Sequence, residues 1–142
     1  MKKIILILLL VAVTVSTMAY KGEVVGAPII ELGMIRQLEL DNGDIPTLIN
    51  LISKEYGIDE TTLINMLKCE SGLRQYDKNG DVLLSTTGDS GVGQINLRTW
   101  SSKAKELGYD LDNPVDNLLM VAWIVNNDSS GLDSWVCYHK IK

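Results

Sequence analysis

The chain has no phenylalanine, one histidine, two cysteines and three prolines in 142 residues. A lone histidine, His139, and two widely separated cysteines leave no spacing that would hold a zinc ion. No glycine-rich phosphate loop and no dinucleotide fingerprint occurs. Basic residues are outnumbered, 13 against 18 acidic, for a net charge of −5. Without clustered Lys and Arg, binding to a phosphate backbone is not expected. The sequence therefore points away from metal, cofactor and nucleic-acid chemistry. It has neither internal repeats nor a low-complexity tract.

What is present begins with "MKKIILILLLVAVTVSTMA": two lysines, an apolar run, then small and polar residues up to Ala19. That order is a secretory signal over residues 1–19, with cleavage after Ala19 and export to the periplasm, the cell envelope or the exterior. Left uncleaved, the same tract would serve as a membrane anchor. Its removal takes Lys2 and Lys3 but no acid, and leaves a net charge of −7. Residues 20–44 hold four glycines and one proline without a sustained period, and read as a linker or N-terminal extension with a short strand around residues 34–40.

From Asp44 the punctuation is helical. Asp44 can cap a helix in which Ile45, Leu48, Ile49, Ile52 and Tyr56 share a face and Gly57 is the stop. Asp59 can cap a second with Leu63, Met66 and Leu67 inward, stopped by Gly72. Residues 73–95, rich in Gly, Asp, Asn, Ser and Thr, form a loop or small β-hairpin turning at "KNGD". Asn96 can cap a third helix bearing Leu97, Trp100, Ala104 and Leu107, closed by Gly108. Pro114 suits the first turn of a fourth with Val115, Leu118, Ala122 and Val125 inward. A short last helix holds Leu132, Trp135 and Tyr138. The spacing predicts a mainly α domain over residues 45–142 with a polar insertion between its second and third helices, and it puts Trp100, Trp123 and Trp135 in the core.

Within "MLKCESGLRQY" a single carboxylate, Glu70, follows Leu63, Met66 and Leu67 on one stripe. It falls at the C-terminal end of that helix, where desolvation and the helix dipole are expected to disfavour the anion. Such an acid can protonate a glycosidic oxygen. The same position also suits an exposed helix-end charge. In an exported chain Cys69 and Cys137 are the sole candidates for a disulfide, worth roughly 4 kcal/mol for so long a loop. Two separate buried thiols are the alternative.

"ESG", then "GDSGVGQIN", then "WVCYHK" resemble the lysozyme-like superfamily. The likeness is to the lytic transglycosylase catalytic domain, nearest to the small invasion- and secretion-associated transglycosylases and more distantly to c-type lysozymes. It runs over roughly residues 45–139. It implies a lysozyme-like α+β fold in which the insertion borders a saccharide cleft. The substrate implied is peptidoglycan glycan strands, cut at the β-1,4 bond between N-acetylmuramic acid and N-acetylglucosamine. Glu70 matches the acid/base glutamate and Ser71 the serine that follows it. Gly91, Gln94 and Ile95 match the element that walls the cleft, Asn96 follows it at the substrate side, and Tyr138 matches a tyrosine beside the glutamate. If Glu70 and Tyr138 meet, a Cys69–Cys137 bond ties their two helices together with Cα atoms about 4.4–6.8 Å apart. Two departures stand out: His139-Lys140 replaces the family's Asn-Ala-Gly, and Val92-Gly93 replaces two bulky apolar residues.

The resemblance implies a monomeric enzyme without a cofactor, acting in the cell envelope and on its own or beside a secretion machine. A hydrolytic lysozyme is the second reading, with Asp89 as its second carboxylate. An inactive wall-binding module is the third.

Overall fold

The computed structural model describes residues 44–142. The leader, the remainder of the linker and the strand expected at residues 34–40 lie outside the described residues. Five α-helices carry the domain: α1 Ile45–Tyr56, α2 Glu60–Ser71, α3 Leu97–Leu107, α4 Pro114–Asn127 and α5 Val136–Ile141. A two-stranded antiparallel sheet, β1 Asp89–Ser90 and β2 Ile95–Asn96, precedes α3, and a 3₁₀ turn, Gly131–Ser134, precedes α5. Among the described residues no helix is long and apolar enough to cross a membrane.

Local chemistry sets most boundaries. Asp44, Asp59 and Asn96 each accept an N–H three residues on, from Thr47, Thr62 and Thr99, at 2.8, 2.7 and 3.1 Å. Gly57, Gly72 and Gly108 end α1, α2 and α3 in the left-handed region, at φ 65°, 67° and 75°, where a Cβ would be strained. Pro114 occupies the first turn of α4, whose Asn113 side chain accepts from Val115 and Asp116.

The expected stripes of α1 and α2 are buried: Leu48, Ile49 and Ile52 on one, Leu63, Met66 and Leu67 on the other. The fourth helix departs from expectation. Every residue from Val115 to Ala122 is buried, Asp116 and Asn117 included, so α4 is the axis of the core and not a one-sided surface helix. α1 and the 3₁₀ turn pack on it, while α2 packs on α1 and α5. The tryptophans divide. Trp135 is buried in the core, while Trp100 and Trp123 are half-buried and meet edge-to-face at 6.1 Å between centroids.

Two expectations are corrected. The polar insertion does turn at "KNGD", where Asp77 Oδ1 accepts from Asn79 and Asp81, but that turn is framed only by a Tyr76–Val82 bridge. The paired strands lie further on, around Gly91-Val92-Gly93-Gln94. The single last helix is two pieces, because Trp135 is extended (φ −107°, ψ 127°) and separates the 3₁₀ turn from α5.

Candidate active site

Glu70 continues the stripe of Leu63, Met66 and Leu67 into the last turn of α2, where it is half-buried. The helix end beneath it is closed by its neighbours. Ser71 Oγ donates to Leu67 O at 3.1 Å, Gly72 N–H to Lys68 O, and Arg74 Nε to Ser71 O at 3.1 Å. Leu73 follows at φ 59°, a left-handed position for a non-glycine residue, held by packing against the core.

α5 arrives from the other end of the sequence and meets this turn twice. Cys137 is bonded through sulfur to Cys69 with Cα atoms 5.8 Å apart, so the two cysteines form the bridge and not a pair of separate thiols. The Cys137 N–H donates to Glu70 Oε1 at 2.9 Å. Trp135 supplies no side-chain cap to α5, so the Glu70 carboxylate caps that helix from outside it. Among the described residues Oε2 accepts no hydrogen bond.

Two residues before Cys137, the Trp135 indole N–H donates to Gly93 O at 2.7 Å. One short stretch, 135–137, therefore touches both Glu70 and the loop Gly91-Val92-Gly93-Gln94. That loop is pinned at nearly every peptide. Gly91 N–H donates to Leu83 O, Val92 N–H to Gln75 Oε1 and Gly93 N–H to Asn117 Oδ1, at 2.8, 2.9 and 2.8 Å. Asn117 Nδ2 donates to Ser90 O and Leu111 O, and Gln75 Nε2 to Leu111 O and Asp112 O, all at 3.0–3.1 Å. The approach is so close that a Cβ on Gly91 would lie 2.5 Å from Gln75 Oε1, and one on Gly93 2.8 Å from Asn117 Oδ1. Gln94 sits at φ 47° and turns its own amide back, Nε2 donating to Gly91 O at 2.9 Å. Ile95 is buried below.

Asp89 lies in β1, at the base of this loop. Its Oδ2 accepts from Ser85 Oγ at 2.8 Å and Thr87 Oγ1 at 2.5 Å, and its Oδ1 accepts from Asn96 Nδ2 at 2.7 Å. Asn96 is committed twice, since its Oδ1 also caps α3. Burial pushes the Asp89 carboxyl up, but the Thr87, Asn96 and Ser85 donors outweigh it and hold the group below the usual aspartate value. A carboxylate lowered in the folded state stabilises the fold fully above its unfolded value, and the contribution is lost as pH falls through the folded value. Asp89→Asn is therefore expected to lower Tm at neutral pH, with the gap to the parent closing as the pH is taken down through that range. Thermal melts of both proteins across pH 2–7, a range spanning the aspartate and glutamate values, check it. A gap that persists unchanged at the acid end would show that the anion is not what the three donors stabilise.

Tyr138 is half-buried with its ring beneath the Lys142 ammonium, 4.3 Å from the centroid. It lines a groove of about 260 Å³ with Thr61, Thr62, Asn65, Ile141 and Lys142. The resemblance puts Tyr138 against Glu70; in the structure the bonded neighbour is the Cys137 N–H. Cys69, Glu70 and Cys137 thus come together, the stretch 135–137 links them to the loop 91–94, and Tyr138 lines the groove with Thr61, Thr62 and Asn65 of α2.

Sequence reasoning missed Gln75, Asn117 and the indole of Trp135. Asn117 carried a signal, an amide inside "VDNLLMVAWIV", where a helix apolar on all sides leaves any polar group in need of partners. Gln75 carried none. Among the described residues no group of three or more His, Cys, Asp or Glu is placed to hold a metal ion. Compared with family models, with curated proteins and with solved structures, the chain matches none.

Proposed function

We propose that the protein is an exported lytic transglycosylase, cutting the β-1,4 bond between N-acetylmuramic acid and N-acetylglucosamine in peptidoglycan with Glu70 as its single acid/base. The carrying observation is the contrast between the two carboxylates. Glu70 has one oxygen fixed by the Cys137 N–H and the other without a hydrogen bond among the described residues, as a group that must hold and release a proton requires. Asp89 has both oxygens filled by neighbouring side chains, which suits a hairpin clamp better than a nucleophile.

In this reading Glu70 Oε2 gives its proton to the glycosidic oxygen as the bond to the muramic C1 breaks, with the substrate's own N-acetyl group assisting. The carboxylate then takes the proton of the same sugar's 6-hydroxyl while O6 bonds to C1. The products are a 1,6-anhydro end and a free 4-hydroxyl, no water is consumed, and Glu70 is again protonated. The loop 91–94, held rigid by its hydrogen bonds and linked to Glu70 through Trp135 and Cys137, supports the reading as a wall of the saccharide cleft.

Digestion of purified peptidoglycan, with product ends read by mass spectrometry, tests it. Anhydro ends are expected. Reducing ends would replace the proposal with a hydrolase, in which Asp89→Asn abolishes cleavage where a transglycosylase is only modestly weakened. Absence of fragments would leave a wall-binding module.

A further inference from the structure

Cys137 makes two bonds to two consecutive residues of α2. Its sulfur is joined to Cys69 and its backbone N–H donates to Glu70 Oε1 at 2.9 Å. We infer that Cys137 is a positioning residue for Glu70 and that the Cys69–Cys137 bond is a thiol-sensitive latch holding it there. The inference rests on Glu70 being the acid/base of the proposed reaction.

Besides the bond and the Glu70 contact, α5 is held by Tyr138, packed partly against the core, and by exposed contacts of His139 and Lys142 to Asp133 of the 3₁₀ turn, which contribute little. Six residues are too few for a helix to persist unaided. Of its side chains only that of Cys137 is buried; Tyr138 is half-buried, and Val136, His139, Lys140 and Ile141 are exposed, Val136 at 68%. The residue before it is anchored differently. Trp135 is buried with its indole on Gly93 O, and its extended backbone is the swivel between the anchored 3₁₀ turn and α5. Opening the bond therefore frees the chain beyond Trp135 and leaves the Gln75–Asn117 array intact.

The two sulfurs are unequal in access. Cys69 is an exposed residue of α2, whereas Cys137 is 5% exposed. The thiolate of a dithiol reductant attacks Cys69 Sγ, forms a mixed disulfide there and expels Cys137 as a thiolate. The reductant's second thiol then attacks the mixed bond, leaves as an intramolecular disulfide and releases Cys69. Two electrons and two protons pass to the cysteine pair, which ends as two thiols. α5 then moves off, and Glu70 loses the donor that fixes its orientation.

The test uses the oxidised full chain and the same protein reduced with excess dithiothreitol, reduction being verified by mass. Amide exchange at Cys137 and through the rest of α5 is expected to accelerate at least about 10-fold while α1–α4 keep their protection. Release of glycan fragments is expected to fall about 10-fold and to return on reoxidation. A Cys69→Ser/Cys137→Ser variant should match the reduced protein and ignore thiol. Unchanged exchange in α5 of fully reduced protein would overturn the latch, as would freed α5 with undiminished cleavage. Loss of protection across α1–α4 would also overturn it, because the bond would then hold the whole fold. If the oxidised protein cuts nothing, the proposed function falls and the exchange arm alone decides the latch.

Discussion

Glu70→Gln is expected to leave the domain folded and to reduce glycan release by about 10³-fold or more, since general acid–base catalysis contributes on the order of 10²–10⁴ and in the proposed reaction one group serves both proton transfers. The fold should survive because the amide oxygen can still accept the Cys137 N–H that now reaches Oε1, so α5 keeps its external cap. What disappears is the capacity of the other position to give a proton and then take one back. Far-UV circular dichroism and Tm establish that the variant is folded, and the solubilisation rate of purified peptidoglycan gives the effect. A folded Gln variant with more than a tenth of the parent rate would remove Glu70 from the role of acid/base.

Asn117→Ala is expected to cost about 4 kcal/mol of stability. The side chain is fully buried and serves three backbone groups at once: the Gly93 N–H, the Ser90 carbonyl and the Leu111 carbonyl. A buried polar group left without its partner costs on the order of 1–3 kcal/mol, and truncation takes the partner side chain from the Gly93 N–H and the Ser90 carbonyl, while the Leu111 carbonyl keeps Gln75 Nε2. Against a total stability of about 5–15 kcal/mol the loss is severe. Urea unfolding of the oxidised protein measures it. A loss under about 1 kcal/mol would mean that the loop relaxes onto other donors and acceptors, and that Asn117 does not hold it.

These two residues show which parts of the molecule were legible in the sequence. Helix boundaries were, because a cap and its N–H lie three residues apart: Asp44 with Thr47, Asp59 with Thr62, Asn96 with Thr99. The inward stripes of α1 and α2 were legible for the same reason, since a 3.6-residue period is local. The Cys69–Cys137 bond could be read because two cysteines offer one pairing. Gln75, Asn117 and Trp135 could not be assigned partners, because those partners lie 17, 24 and 42 residues away and depend on how α4 is packed. The break of the last helix was hidden likewise. Trp135 leaves the helical region where its indole reaches Gly93 O, a contact that no window around residue 135 contains. Asp89 was read as a candidate for chemistry from its place before Gly91. Its three side-chain donors, Ser85, Thr87 and Asn96, were all nearby, but short polar residues in a turn do not announce which carboxylate they will share.

The loop 91–94 is stitched to the centre of the domain, with Gly93 giving its N–H to α4 and receiving the Trp135 indole on its carbonyl. Displacing it would break hydrogen bonds to Leu83, Gln75, Asn117 and Trp135 together, so it travels with the core or not at all. If the proposed function holds, a glycan docking against it would meet a surface already in its final shape. The ordering entropy of such an encounter falls on the sugar chain and not on the protein. Tightness of binding would then depend on how rigid the glycan is before it arrives, and stretched, cross-linked strands would bind better than short free ones of the same composition.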